Sequence, residues 1–102
     1  MKLDMYEKAC HFFERAFQIQ PKELKWKLMV ASCYRRMGSF ERALKHYQEV
    51  YAENPENMEC LKFLVQLCKE TGQPYDEYAA QLRRLERENE AMPDLNMVIL
   101  HH

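Results

Sequence analysis

Residues 34 positions apart match along this chain, and that repetition limits its possible folds more than any other feature. Ala9, Phe13, Ala16 and Pro21 return as Ala43, Tyr47, Val50 and Pro55. Glu7-Lys8-Ala9 returns as Glu41-Arg42-Ala43, and Gly38 as Gly72. Val30, Ala31 and Tyr34 meet Leu64, Val65 and Cys68 at the same shift. Apolar side chains come back every three or four residues, the spacing of a helix, and β-branched residues never alternate with polar ones as in a strand. One such unit has too little apolar surface to be stable alone, so copies must stack on one another. The fold class is all-α.

Punctuation residues place helices at about 5–19, 22–37, 40–53, 56–71 and 74–91. Asp4 with Glu7 has the spacing of a capping box, and Ser39 suits an N-cap. Pro21 and Pro74 suit first helical turns, with Asn54-Pro55 repeating the stop and restart, while Gly38 and Gly72 suit left-handed terminators. The second helix is unusually wide in its apolar surface. Trp26, Val30, Cys33 and Met37 share one line, and Leu28, Ala31 and Tyr34 the next. Lys25, Met29, Ser32 and Arg36 lie opposite, beside Arg35. Such a helix packs on two sides and keeps one face for solvent or a partner.

A helix–turn–helix period of this length, with small, aromatic, small and proline residues at these offsets, is the signature of the tetratricopeptide repeat, TPR. A TPR-type helix–turn–helix solenoid is therefore expected over residues 1–92, about two and a half repeats with a C-terminal capping helix, followed by a tail at 93–102. Lys27 stands where TPR motifs carry a tryptophan, with Trp26 one place earlier; its stem is expected to lie on the core with the ammonium lifted to the edge. After Gly72 the register slips. Tyr78, Leu82 and Leu85 then form a single apolar stripe backed by charges, as the last helix of a stack requires.

At the other end the pattern starts on the second helix of a repeat. Met1 is therefore expected to begin a piece of a longer protein, with self-association through the exposed N-terminal helix, which carries Phe12, Phe13 and Phe17, as one consequence. Leu95 to Leu100 reads either as cover for an exposed face or as a loose terminus. His101 and His102 read either as native residues or as the remnant of a tag, and are set aside.

Several function classes have little support. The formal net charge is -1 with no basic block, so no nucleic-acid partner is expected. No apolar run approaches the roughly 18 residues of a membrane span, and the Met-Lys-Leu-Asp start is not that of a signal peptide, so no membrane insertion is expected. Cys10, Cys33, Cys60 and Cys68 form no Cys-x-x-Cys pair and no zinc spacing. They read as reduced, buried, small hydrophobes of a cytosolic protein. His11 and His46 pair with no nucleophile or carboxylate in the pattern, so catalysis, metals and cofactors are not expected.

In a TPR stack the first helix of each repeat lines the concave surface. Its partner-facing positions here are Lys25, Leu28, Met29, Ser32, Arg35 and Arg36, then Glu59, Lys62, Phe63, Gln66, Lys69 and Glu70. Arg35, Arg36, Lys62 and Lys69 suit a partner's carboxylates, and Leu28, Met29 and Phe63 supply apolar contact. Plain solvation of the same charges is the competing reading. Leu28 with Ser32, and Lys62 with Gln66, replace the Lys and Asn pair that grips chaperone tails, which disfavours that ligand.

Three runs carry a more specific resemblance. They are Ile19-Gln20-Pro21 with Lys25-Trp26-Lys27-Leu28-Met29-Val30-Ala31-Ser32-Cys33-Tyr34-Arg35-Arg36, then Asn54-Pro55-Glu56-Asn57-Met58-Glu59-Cys60-Leu61-Lys62-Phe63-Leu64-Val65, and Tyr78-Ala79 with Leu82-Arg83-Arg84-Leu85-Glu86. Over roughly residues 5–90 the chain resembles the C-terminal repeats of the polaris family, the TPR-rich subunits of intraflagellar-transport complex B. The resemblance implies a non-enzymatic scaffold without cofactors, bound to other complex B subunits in a train moved by kinesin and dynein. It also implies a place in the cytoplasm, cilium or flagellum and basal body. A TPR adaptor of another pathway, holding a short peptide in its groove, is the alternative.

Overall fold

The computed structural model describes residues 2–91. Within them lie five helices, α1 (Lys2–Ile19), α2 (Leu24–Arg36), α3 (Phe40–Glu53), α4 (Met58–Thr71) and α5 (Asp76–Ala91). Each packs chiefly against its neighbours in sequence, which makes the molecule a one-dimensional stack of helices, a TPR-type solenoid. The repeats are α2–α3 and α4–α5, with α1 in the place of a preceding second helix.

The turns explain where helices begin. Glu23 N–H donates to the Gln20 carbonyl at 3.0 Å, and 34 residues on Asn57 N–H donates to the Asn54 carbonyl at 3.0 Å. Pro21 and Pro55 thus occupy the second position of a four-residue turn, where a fixed φ near −65° is favourable. Helices α2 and α4 accordingly begin at Leu24 and Met58, two residues later than the proline rule places them, and α5 begins at Asp76, late by the same interval. Asn57 is the N-cap of α4 and its side chain accepts from Cys60 N–H at 2.9 Å. Ser39 holds the N-cap position of α3, yet its side chain makes no cap bond. Asp4 caps nothing either. Helix α1 already runs from Lys2, and the Asp4 carboxylate instead lies in the first turn, where the helix dipole favours it.

Both predicted terminators are left-handed, Gly38 at φ +83° and Gly72 at φ +72°. Ser39 N–H reaches back to the Tyr34 carbonyl, and Gln73 N–H to that of Cys68, each at 2.8 Å. These are the backward bonds that satisfy orphan carbonyls at a helix end.

The main core joins α2, α3 and α4 through Leu28, Ala31, Ala43, Tyr47, Val50, Cys60, Leu64 and Leu67. Ala31 and Ala43 are wholly buried, so a small residue at each place lets α2 and α3 approach closely. A smaller cluster of Cys10, Val30 and Cys33 seats α1 on α2. At the far end Leu85 is buried and Tyr78 stands edge-on to Tyr51, ring centres 5.4 Å apart. That gives α5 the one buried stripe expected of a closing helix. The tail from 93 onward, and its suggested covering role, lie outside the described residues.

Candidate functional site

The face shared by α2 and α4 collects most of the predicted partner positions. Tyr47 of α3 forms its floor. Its ring is fully buried and stacks on Phe63 at 5.4 Å and 22°, while Tyr47 Oη and Ser32 Oγ share a hydrogen bond of 2.9 Å. Burying a phenol demands a partner for its hydroxyl, and Ser32 supplies one. Ser32 and Phe63 are therefore half-buried pieces of the floor rather than free contact groups.

Arg35 and Glu70 close this face at one end. The Arg35 guanidinium engages both Glu70 carboxylate oxygens, through Nε at 3.1 Å and through Nη2. A planar fork meeting a carboxylate in two places is a geometrically specific contact. It holds the Glu70 carboxyl below the usual carboxylate range and raises the Arg35 guanidinium, so both shifts point to the same pairing. Arg35 thus ties two successive repeats together.

The remaining cations are arranged differently. Lys25 Nζ lies 5.0 Å from the Trp26 ring centre, and Lys69 Nζ lies 5.2 Å from that of Tyr75. Arg36 turns toward α1, donating to Tyr6 Oη at 3.5 Å. Lys62 and Gln66 are exposed. Met29 is 43% exposed, whereas Leu28 at 5% belongs to the core and offers a partner almost no surface. The accessible surface on this face is therefore Met29, Glu59, Lys62 and Gln66, with Lys25 and Lys69 at its margins.

The period did not reveal a second set of contacts between α1, α2 and α3. The Lys27 ammonium is 2.8 Å from Glu49 and 5.7 Å from the Phe17 ring centre, so it is clamped rather than free at the edge. Glu49 is held below its ordinary value by that contact. Nearby, Cys10 Sγ donates to Glu14 Oε1 at 3.1 Å, and Tyr34 Oη donates to the same oxygen at 3.0 Å. Burial, then the Glu14 contact, pushes the Cys10 thiol up to about 11, and burial likewise raises Tyr34. His46 stacks at a tilt on Tyr34, ring centres 5.2 Å apart, and its Nδ1–H donates to the Arg42 carbonyl at 2.9 Å. An open cleft of about 270 Å³ runs past Cys10, Glu14, Tyr34 and Arg42. A thiol whose deprotonation is this disfavoured is a poor nucleophile at neutral pH. Among the described residues no group of three or more His, Cys, Asp and Glu side chains could hold a metal ion, and no helix is long and apolar enough to cross a membrane.

Paired helices stacked on sequence neighbours, with a polar face spread over the first helices, define a TPR repeat scaffold. Comparison with known proteins gives the same class: the chain belongs to the TPR-like family described as "Anaphase-promoting complex, cyclosome, subunit 3", whose family model matches residues 2–85. Among individual proteins, it is similar to the human intraflagellar transport protein 88 homolog, the polaris type of TPR chain. The two are 52% identical over 73 residues, which is 71% of this chain and 9% of the relative. The chain thus spans under a tenth of that relative's length. No solved structure matches it.

Proposed function

We propose that this chain is a non-enzymatic protein-interaction scaffold of an intraflagellar-transport complex B assembly, acting in the building and maintenance of cilia or flagella. The observation that carries this reading is the 52% identity to the human intraflagellar transport protein 88 homolog. Other complex B subunits are its partners, and the cilium and basal body its place of work. The α2–α4 face is the seat: Met29 supplies apolar contact, and Lys25, Lys62, Gln66 and Lys69 supply polar contact around a floor already fixed by Ser32, Tyr47 and Phe63. Preformed, rigid floors of this kind reduce the ordering cost of binding. Arg36 serves at the α1 margin, and Arg35 acts through the Glu70 pairing.

Co-elution of the chain with complex B core subunits, and shortened cilia on its loss, are the expected results. Failure of both contradicts the reading. A TPR adaptor of another assembly is the second reading, favoured by a family description that names a different complex. It predicts groove binding of a short peptide without co-elution with complex B subunits.

A further inference from the structure

Both members of the Arg35–Glu70 pair stand at partner-facing positions of the α2–α4 face, in the last turns of their helices. Their side chains are 26% and 38% exposed, so the contact opens to solvent rather than lying beneath the surface. Exposed ion pairs add little to stability, and a competing carboxylate can replace one at small cost. The core beneath already holds α2, α3 and α4 together through Leu28, Ala31, Tyr47, Leu64 and Leu67. The pair can therefore exchange partners without parting the repeats.

What the pairing does is withhold a guanidinium. Of the two arginines at partner-facing positions, Arg36 turns to Tyr6, while Arg35 meets both carboxylate oxygens of Glu70. A guanidinium fork is the group best shaped to take a carboxylate in two places, and Glu70 already fills it. The charges around the pair choose what can compete. Lys25, Lys62 and Lys69 are in no ion pair among the described residues, and at these positions they face a single unpaired carboxylate, Glu59. An acidic segment gains from these lysines as it approaches, whereas a basic one is repelled.

We infer, resting on the α2–α4 face as the scaffold's seat, that Glu70 is a built-in competitor there. It holds Arg35 until an acidic segment of a partner protein supplies the carboxylate that takes its place. Apparent affinity is lowered by the fraction of chains in which the fork is closed. The exchange also makes the face selective, because a segment without a carboxylate at that point cannot claim Arg35.

The probes are two fluorescein-labelled 12-residue peptides with leucines at their centre, alike except that the glutamates of one are glutamines in the other. Anisotropy is read against the whole chain and its variants, with melting temperatures as the check on folding. Glu70→Gln should tighten binding of the glutamate peptide by about fivefold or more and leave the glutamine peptide unchanged. Glu59→Gln removes the same charge from the same face without freeing a guanidinium, so it should gain far less. Arg35→Gln added to Glu70→Gln should remove the gain. A folded Glu70→Gln chain that binds the glutamate peptide no tighter overturns the inference. So does an equal gain from Glu59→Gln, which makes the effect one of plain charge. Met29→Glu/Lys62→Glu separates this failure from that of the seat. Loss of glutamate-peptide binding in that variant, with no gain from Glu70→Gln, leaves the seat standing without its competitor. Binding that Met29→Glu/Lys62→Glu leaves intact overturns both.

Discussion

At the scale of single residues, Tyr47 is the side chain on which most else depends. It fills the space between α2, α3 and α4, with its hydroxyl on Ser32 and its backbone carbonyl accepting from Cys60 Sγ at 3.1 Å. Tyr47→Ala should cost about 3–5 kcal/mol, because the cavity it leaves is walled by three helices. Tyr47→Phe should cost about 1 kcal/mol, since Ser32 is half-exposed and water can replace the lost bond. Urea unfolding midpoints with unchanged slopes check both values. The cysteines give a pH prediction. Burial holds Cys10 at about 11 and Cys60 at about 12, above the ordinary 9.0. Above pH 9 the unfolded chain loses these protons while the folded chain keeps them, so stability is full below pH 9 and falls as pH rises toward 12. A thiol reagent at pH 8 should accordingly label the fully buried Cys60 and Cys68 at the rate of global unfolding, and fast labelling of those two in native protein contradicts their burial.

At the scale of elements, the chain separates what a pattern can show from what it cannot. Helix ends at Gly38 and Gly72 were readable because a left-handed residue is nearly always glycine. Starts were misplaced by two residues because a proline is as well suited to the turn before a helix as to its first turn, and only the backbone bonds at Glu23 and Asn57 distinguish the two. Caps were likewise ambiguous: Ser39 and Asn57 both stand in cap position, but only Asn57 makes the bond. Asn57→Ala should therefore lower stability by about 1 kcal/mol, and Ser39→Ala by far less, in thermal melts of the two variants. Gly72→Ala should cost about 1 kcal/mol through backbone strain alone, because nothing lies within 4 Å of an added methyl group. Gly72→Asn should recover part of that loss.

At the scale of the whole molecule, contacts between repeats were the least legible. Ala31, Ala43 and Tyr47 all recur at the 34-residue shift, and all three lie in the core. Leu28 was placed on the partner face by its position in the repeat, yet its side chain turns into the core. The Arg35–Glu70 and Lys27–Glu49 pairs join helices whose relative rotation no single-chain pattern supplies. Arg35–Glu70 crosses from one repeat to the next, so it resists their opening. Its folded carboxyl is depressed, so its contribution is present at neutral pH and is lost as pH falls below the ordinary 4.5. Protection factors in α4 and α5, with the intrinsic pH dependence of exchange divided out, should fall as pH drops below 4.5 in the native chain, and Glu70→Gln should lower them at pH 7 while flattening that dependence. The same pairing changes which residues can meet a partner. Arg35 is engaged and Leu28 is buried, so on the proposed reading Met29 and Lys62 carry the contact. The most direct test is the affinity of complex B core subunits for the native chain and for the Met29→Glu/Lys62→Glu variant. A loss of at least tenfold with an unchanged melting temperature is expected; equal affinity contradicts the α2–α4 face as the scaffold's binding site.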